Sequence, residues 1–275
     1  MKKKIMITGS SGYIGSHLCK MLEDEYEVHG LDIVSPRVPV HTFHPVNINK
    51  PMNITEEFDA CIHLAALVNV GESERTPIPY YITNLNGTMN VMNKIRCKNF
   101  ILASTGAAEY CESAYGTSKK AAEDVVKEFF THHRPAPYTI FRFYNVIGST
   151  VTHPTNPDGL FYNLIKAKDT GEFTIYGNDY AQSWDGTCVR DYVHVNEVCH
   201  ALKDAIEKSS NKIECLGHGV GYTVKEIVDM FQKVNDCDFT VNYGPRRKGD
   251  LPSSVLEDVS PYMRNLYTME ELLKV

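Results

Sequence analysis

Short apolar runs alternate with longer stretches of helix-spaced apolar residues through the first half of the chain. Lys4 to Thr8 reads as a buried strand, Gly9 to Gly15 as a glycine turn, and Tyr13 to Leu22 as a helix. Val28 to Val34 reads as a second strand, Thr42 to Ile48 as a shorter one and Asp59 to Ala66 as another. Tyr80 to Arg96 predicts one long helix, Phe100 to Thr105 a strand, Ser113 to Phe130 a helix and Tyr138 to Val146 a strand. This rhythm predicts an α/β fold with a doubly wound parallel sheet covered on both faces. After Val146 the pattern breaks up. Ser149 to Gly159 is rich in Pro, Thr and Asn and reads as a loop leaving the first domain. Short strands and helices with scattered Gly and Tyr follow, and predict a smaller C-terminal lobe that takes the substrate. The expected division is 1–146, with roughly 188–207 packing back onto it, and 147–275.

Composition narrows the classes. The chain has 275 residues, 43% hydrophobic and 23% charged, enough to bury a sizeable core. A formal net charge of -6 argues against a general nucleic-acid binder. It leaves room for an anionic small ligand held by placed arginines and helix N-termini. The 8 cysteines form no CxxC pair and fall often within apolar runs, which predicts reduced core thiols rather than a zinc site. The apolar stretch of the opening MKKKIMITG is too short for a secretory core, and no run approaches membrane-spanning length. A cytoplasmic protein is expected.

The turn Thr8-Gly9-Ser10-Ser11-Gly12-Tyr13-Ile14-Gly15 follows a strand and opens a helix, the context a dinucleotide fingerprint requires. Glycines let the backbone approach a pyrophosphate, and the helix N-terminus faces its charge. Asp32 ends the next strand. A carboxylate there accepts from both adenosine ribose hydroxyls and repels a 2′-phosphate, so the expected cofactor is NAD.

Tyr115 and Lys119 stand at i,i+4 near the start of a predicted helix, on one face. The free tyrosine pKa of ~10 makes it a poor base at neutral pH. A nearby ammonium and a positive nicotinamide ring are expected to favour the phenolate. YxxxK also recurs by chance. Its weight comes from the preceding strand, which ends in Ala103-Ser104-Thr105 and presents the Thr105 hydroxyl at the sheet edge where ligands bind in open α/β folds.

At this point the chain resembles the extended short-chain dehydrogenase/reductases, and within them the UDP-glucose 4-epimerases. The resemblance spans nearly the whole chain. It includes the glycine turn through Ser16-His17, His63-Leu64-Ala65-Ala66, Val70-Gly71-Glu72-Ser73, Asn84-Leu85-Asn86-Gly87-Thr88, Tyr115 to Lys119 and Arg142-Phe143-Tyr144-Asn145. The most specific stretch is Ile175 to Tyr180 followed by Asp185 to Val195, and Pro245 to Pro252 again resembles the family.

The resemblance implies an isomerase that inverts C4 of a UDP-hexose through a transient 4-keto sugar. Tyr115 would be base and acid, Lys119 its electrostatic partner and Thr105 the hydroxyl near O4. Gly9, Gly12, Tyr13, Ile14, Gly15, Asp32, Ile33, Asn47, Ile48, Leu64, Ala65, Ala66, Asn84, Ser104 and Phe143 would line the NAD with Tyr115 and Lys119. Asn145, Arg190 and Arg247 would hold the diphosphate, Asp250 the uridine ribose, and Leu160, Phe161 and Tyr176 would flank the uracil. Arginine suits phosphate by its fork of donors, and an aromatic face suits a pyrimidine.

Several positions depart from the family. Val68 stands where many members have a lysine on the cofactor, and Asn47 replaces an aspartate near adenine. Only nine residues separate Thr105 from Tyr115, where relatives have a longer loop, which predicts a more open site. Ser254 is small where side-chain size gates a C2 substituent, which predicts that an N-acetylhexosamine fits. The predicted helices Tyr80 to Arg96 and Ser113 to Phe130 are expected to form a four-helix contact in a homodimer. The rival readings are a sugar-nucleotide dehydratase or ketoreductase of the same family, and a non-catalytic NAD-binding scaffold. A dehydratase needs a carboxylate just after the threonine, where Gly106 and Ala107 stand, and Asp32 disfavours an NADPH-dependent reductase. Scaffolds of this type tend to lose the tyrosine–lysine pair.

Overall fold

The computed structural model describes residues 2–148, 151, 156–157, 159–247 and 249–275. Most of the loop expected at Ser149 to Gly159 lies outside these residues. The chain divides into two compact units: Met1–Arg142 with Cys199–Glu214, and Phe143–Val198 with Cys215–Val275.

The first unit is built on strands β1 (Lys4–Thr8), β2 (Glu27–Asp32), β3 (Thr42–Pro45), β4 (Ala60–His63), β5 (Phe100–Thr105), β6 (Tyr138–Phe143) and β7 (Ile213–Leu216). Their order in the sheet is β7-β6-β5-β4-β1-β2-β3. The pairs β1–β2, β1–β4, β2–β3 and β4–β5 are parallel, with Thr8 opposite Leu31 on one side and His63 on the other. Successive strands therefore run outward in opposite directions from β1 and β4, which creates a switch point where ligands bind in open α/β sheets. The strands are unbroken apolar runs because both sheet faces are covered. Met6, Leu31, Phe58, Cys61, Phe100, Leu102, Val126, Phe130 and Ile140 form one side of that core.

Helix α1 (Tyr13–Leu22) follows the glycine turn, and α2 (Val70–Arg75) begins at the Asn69 cap. The stretch expected as one helix over Tyr80 to Arg96 is interrupted. Pro77–Tyr80 is α-helical, Tyr81–Asn86 is a π turn, and α3 (Gly87–Lys94) stops at Ile95, whose backbone is extended. Helix α4 (Ala114–Glu128) is capped by the Ser113 hydroxyl, which accepts from Gly116 N at 3.1 Å. The strand expected over Tyr138 to Val146 also breaks, at Tyr144. Asn145–Ile147 pairs with Val189–His194, away from β6.

In the second unit, Glu172–Tyr176 pairs in parallel with Thr240–Gly244. Val189–His194 is flanked by Gly221–Thr223 and by Ser253–Ser254. Helix Val224–Val234 opens with a reciprocal Thr223–Glu226 capping box. Phe161, Leu164, Phe173, Tyr192, Phe231 and Phe239 fill the core of this unit. Among the described residues no helix is long and apolar enough to cross a membrane.

Candidate active site

At the end of β1 the chain turns sharply. A Cβ on Gly9, whose φ is +74°, would stand 2.7 Å from Ala65 N, and one on Gly15 only 2.0 Å from the Gly9 carbonyl oxygen. These glycines close the strand–turn–helix corner by backbone contact, and alanine at Gly15 has no room. Gly12 caps α1 with no side-chain bond, and a Cβ there would meet only the Gly9 oxygen, at 3.2 Å. The uncapped first turn, with Tyr13 and Ile14, thus offers backbone donors to an anion.

Asp32 ties this turn to the end of β2. Its Oδ2 accepts from Ser11 N at 3.0 Å, and its Oδ1 from Ile33 N at 2.7 Å and Val34 N at 3.1 Å. Ile33 and Val34 are exposed apolar residues beside that carboxylate. An anion-binding turn, an adjacent acceptor and an exposed apolar ledge fit a dinucleotide with free ribose hydroxyls. Asn47 is exposed and makes an Asx turn, its Oδ1 accepting from Asn49 N at 2.9 Å. Ile48 is buried in the core, and its carbonyl accepts from Asn90 at 2.8 Å.

Across the switch point, Leu64 N donates to Thr8 O at 3.0 Å, and half-buried Ala65 and Ala66 follow. A buried relay holds this loop. Ala65 N donates to Thr8 Oγ1, which stands 2.6 Å from His63 Nδ1. His63 Nε2 is 2.9 Å from Thr88 Oγ1, which donates to Asn84 O at 2.6 Å. The direction of the last bond places the imidazole proton on Nε2. Burial holds the ring neutral, with its pKa pushed down to about 3. Asn84 sits in the π turn, a type of distortion that recurs at functional sites. Its amide accepts from Leu67 N at 2.8 Å and donates to Leu67 O and Ser118 Oγ, each at 3.0 Å.

Tyr115 lies in the first turn of α4, close to the Thr105 side chain at the end of β5. Tyr115 N donates to Ser73 Oγ at 3.1 Å, and the ring stands edge-on to Tyr80, 6.5 Å between centroids. Burial pushes the phenol up to about 12, against a downward pull from Thr105. The lowering expected from Lys119 is not seen: burial dominates, and Thr105 alone opposes it. Lys119 is itself buried, and its pKa is pulled down to about 8 by burial and partly restored by Glu123.

The helix carries a third polar residue that motif reading passed over. Glu123 is fully buried; its Oε1 accepts from Ser104 Oγ at 2.6 Å and from Arg142 Nε at 2.9 Å, and its Oε2 from Arg142 Nη2 at 2.9 Å. Ser104 was expected beside the cofactor, but its buried hydroxyl is committed to this carboxylate. The sequence signal for Glu123 was its place one helical turn beyond Lys119, on the same face. Ser73 was visible only as part of the Val70-Gly71-Glu72-Ser73 stretch.

The lowered Lys119 pKa carries a sign. Between about pH 8 and 10.5 the unfolded chain holds a proton here that the folded chain has released, so wild-type stability gains from this group as pH rises through that window. In Lys119→Met that contribution should vanish. Urea midpoints of both proteins at pH 7 and pH 10 check it: an unchanged difference between them contradicts the assignment.

The second unit carries the other expected residues. Phe143 is buried at its start, and Asn145 Nδ2 donates to Asp191 O at 2.9 Å. Arg190 Nη1 donates to Val189 O at 2.9 Å, and Nη2 lies 3.9 Å from Asp250 Oδ1. Ser254 is the parallel strand partner of Arg190, so Arg190, Asp250 and Ser254 share one edge of this sheet. Tyr176 ends its strand half-exposed, with the Arg247 guanidinium 4.0 Å above its ring. Leu160 packs partly buried against the core. Phe161 was expected to flank a base, but it is 2% exposed and set edge-on to Phe231. Its ring is a core element, which leaves only its backbone to offer a ligand.

The pattern of the NAD dependent epimerase/dehydratase family matches residues 5–215. The UDP-glucose 4-epimerase of Bacillus subtilis is 30% identical over 297 residues, covering 90% of this chain and 86% of the relative. The putative UDP-arabinose 4-epimerase 4 of Arabidopsis thaliana is 30% identical over 315 residues, covering 93% and 71%. Among solved structures, the UDP-glucose 4-epimerase of Bifidobacterium longum in complex with NAD+ and UDP superposes with a TM-score of 0.85 at 25% identity, covering 98% of this chain and 96% of that one. A family match from the first strand to the last of the nucleotide-binding sheet, on a fold of this topology, places the chain: it belongs to the NAD dependent epimerase/dehydratase family.

Proposed function

We propose that the chain is an NAD-dependent UDP-hexose 4-epimerase acting on UDP-glucose and UDP-galactose. The observation that carries this reading is the Tyr115 phenol, set beside the Thr105 side chain that ends β5 and one helical turn from Lys119 on the same helix. When bound, the dinucleotide supplies the acceptor and donor for the C4 hydride and a positive ring charge in its oxidised form. Tyr115 takes the O4 proton as C4 is oxidised, and returns it as the 4-keto sugar is reduced on its opposite face. Thr105 shares the proton's path and holds the hydroxyl in line. Lys119 offsets the negative charge on the phenol oxygen. The Gly9–Gly15 turn and Asp32 hold the dinucleotide. Asn145, Arg190 and Arg247 bind the UDP diphosphate, Asp250 the ribose and Tyr176 the uracil. This remote binding retains the keto sugar between half-reactions. Incubation of the purified protein with NAD and UDP-galactose, followed by NMR, should give UDP-glucose; no product would reject the activity.

The small side chain of Ser254 suits a C2 acetamido group, so UDP-N-acetylglucosamine should also turn over. Ser254→Tyr should abolish that reaction while UDP-glucose is retained. Turnover of UDP-glucose alone by the wild type would reject the gate. The stretch between Thr105 and Tyr115 folds into a short helix, Ala107–Tyr110, closed by Cys111 at φ 55°.

A homodimer is part of the same proposal. Ile78, Ile82 and Met89 are exposed along the helical stretch Pro77–Lys94, apolar surface suited to a second copy. Light scattering should give twice the chain mass, and Ile82→Glu should halve it; a monomeric wild type contradicts this. The eight cysteines are all free, in keeping with a cytoplasmic enzyme.

A further inference from the structure

At the outer edge of the first unit's sheet, two imidazoles and a carboxylate converge that no step of the reaction uses. His29 lies on β2, His44 on the edge strand β3, and Glu56 in the segment leading to β4. His29 stands opposite Thr42, and His44 opposite Leu31. The two histidines are thus diagonal neighbours, and their side chains leave the same face of the sheet.

Their donor atoms are close. His29 Nδ1 is 3.4 Å from His44 Nε2 and 3.6 Å from Glu56 Oε2, and all three atoms lie within 4.8 Å of one another. Tetrahedral zinc bonds of ~2.0–2.1 Å place neighbouring ligand atoms about 3.3 Å apart.

The surroundings set the donors. His29 Nε2 lies 3.0 Å from Glu27 Oε1, which keeps the proton on Nε2 and leaves the Nδ1 lone pair facing the cluster. The ring is buried and set edge-on to Phe58, 5.2 Å between centroids. Lys4 Nζ approaches Glu27 Oε1 at 3.4 Å and Glu56 Oε1 at 3.7 Å, so it engages the far oxygen of Glu56 and leaves Oε2 toward His29. Its charge limits affinity without occupying a ligand atom. The Glu56 side chain is 42% exposed, which gives an ion a way in.

We propose that His29, His44 and Glu56 bind one divalent transition cation of the zinc type, with water completing a tetrahedral shell. Two imidazoles and one carboxylate select zinc, cobalt or nickel over magnesium or calcium. The ion would staple β3, the last strand of the sheet among the described residues, to β2 and to the segment before β4.

The test uses the untagged full chain, reduced and stripped of metal with a chelator. Calorimetric titration with Zn2+ should show one saturable equivalent in the micromolar range. Co2+ should give the visible absorption of a tetrahedral site, and Zn2+ should raise Tm by a few degrees. His44→Gln and the exposed Glu56→Gln should each weaken binding at least tenfold. Cys111→Ser, which removes the exposed thiol, should leave it unchanged. Absence of saturable binding, binding that survives both ligand substitutions, or binding lost with Cys111→Ser would overturn the site.

Discussion

Tyr115→Phe should fold normally and lose about a thousandfold or more in turnover, within the range expected for removing a positioned acid–base group. The substitution deletes one oxygen and leaves the scaffold alone. Tyr115 N keeps its bond to Ser73 Oγ, Ser118 Oγ still donates to the Tyr115 carbonyl at 2.7 Å, and the ring still meets Tyr80. The substitution leaves the ring in the same packing against Tyr80, so it should change stability by no more than about 1 kcal/mol. The reaction, in contrast, loses the phenol proposed to carry the O4 proton. Circular dichroism, Tm and turnover of UDP-galactose separate the two effects. Near-wild-type turnover would remove Tyr115 from the mechanism.

Glu123→Ala should cost about 3–5 kcal/mol of stability, the range for breaking one side of a buried ion pair. Three hydrogen bonds converge on this carboxylate, and the Arg142 side chain facing it is only 11% exposed. Truncation leaves the guanidinium facing Glu109 Oε2 at 3.8 Å, on a half-exposed side chain. It also frees Ser104 at the end of β5, next to Thr105. Lys119 loses the carboxylate that raises its pKa, so the ammonium should titrate lower still. Glu123→Gln, which keeps the shape and loses the charge, should fall between the two. Urea unfolding measures the cost; a loss under 1 kcal/mol for the alanine variant would show that the network carries no net stability.

Much of the first unit could be read from the sequence because its strands are unbroken apolar runs and its glycine turn has one stereochemical use. The same reasoning failed where tertiary contacts override spacing. Apolar positions continue at helical spacing through Tyr81–Asn86, so nothing in the pattern marks the π turn that aims Asn84 at Leu67. Apolar residues likewise continue from Ile140 to Ile147, which hid the break at Tyr144.

Side-chain roles were legible unevenly. Tyr115 and Lys119 share one helix, so their spacing already encodes their proximity. Glu123 depends on Ser104 and Arg142, which arrive from two strands, and a lone helical carboxylate reads as solvated until those strands are placed. Phe161 shows the reverse: an aromatic residue near a ligand-binding stretch has the same letter whether its ring faces a base or Phe231.

The central claim is that the hydrogen on C4 leaves the sugar and returns to the same molecule. UDP-galactose deuterated at C4, converted by the wild-type protein and followed by NMR, tests it most directly. Deuterium retained at C4 of the UDP-glucose formed is the predicted result. Product carrying protium at C4, or label appearing at another carbon, would contradict it.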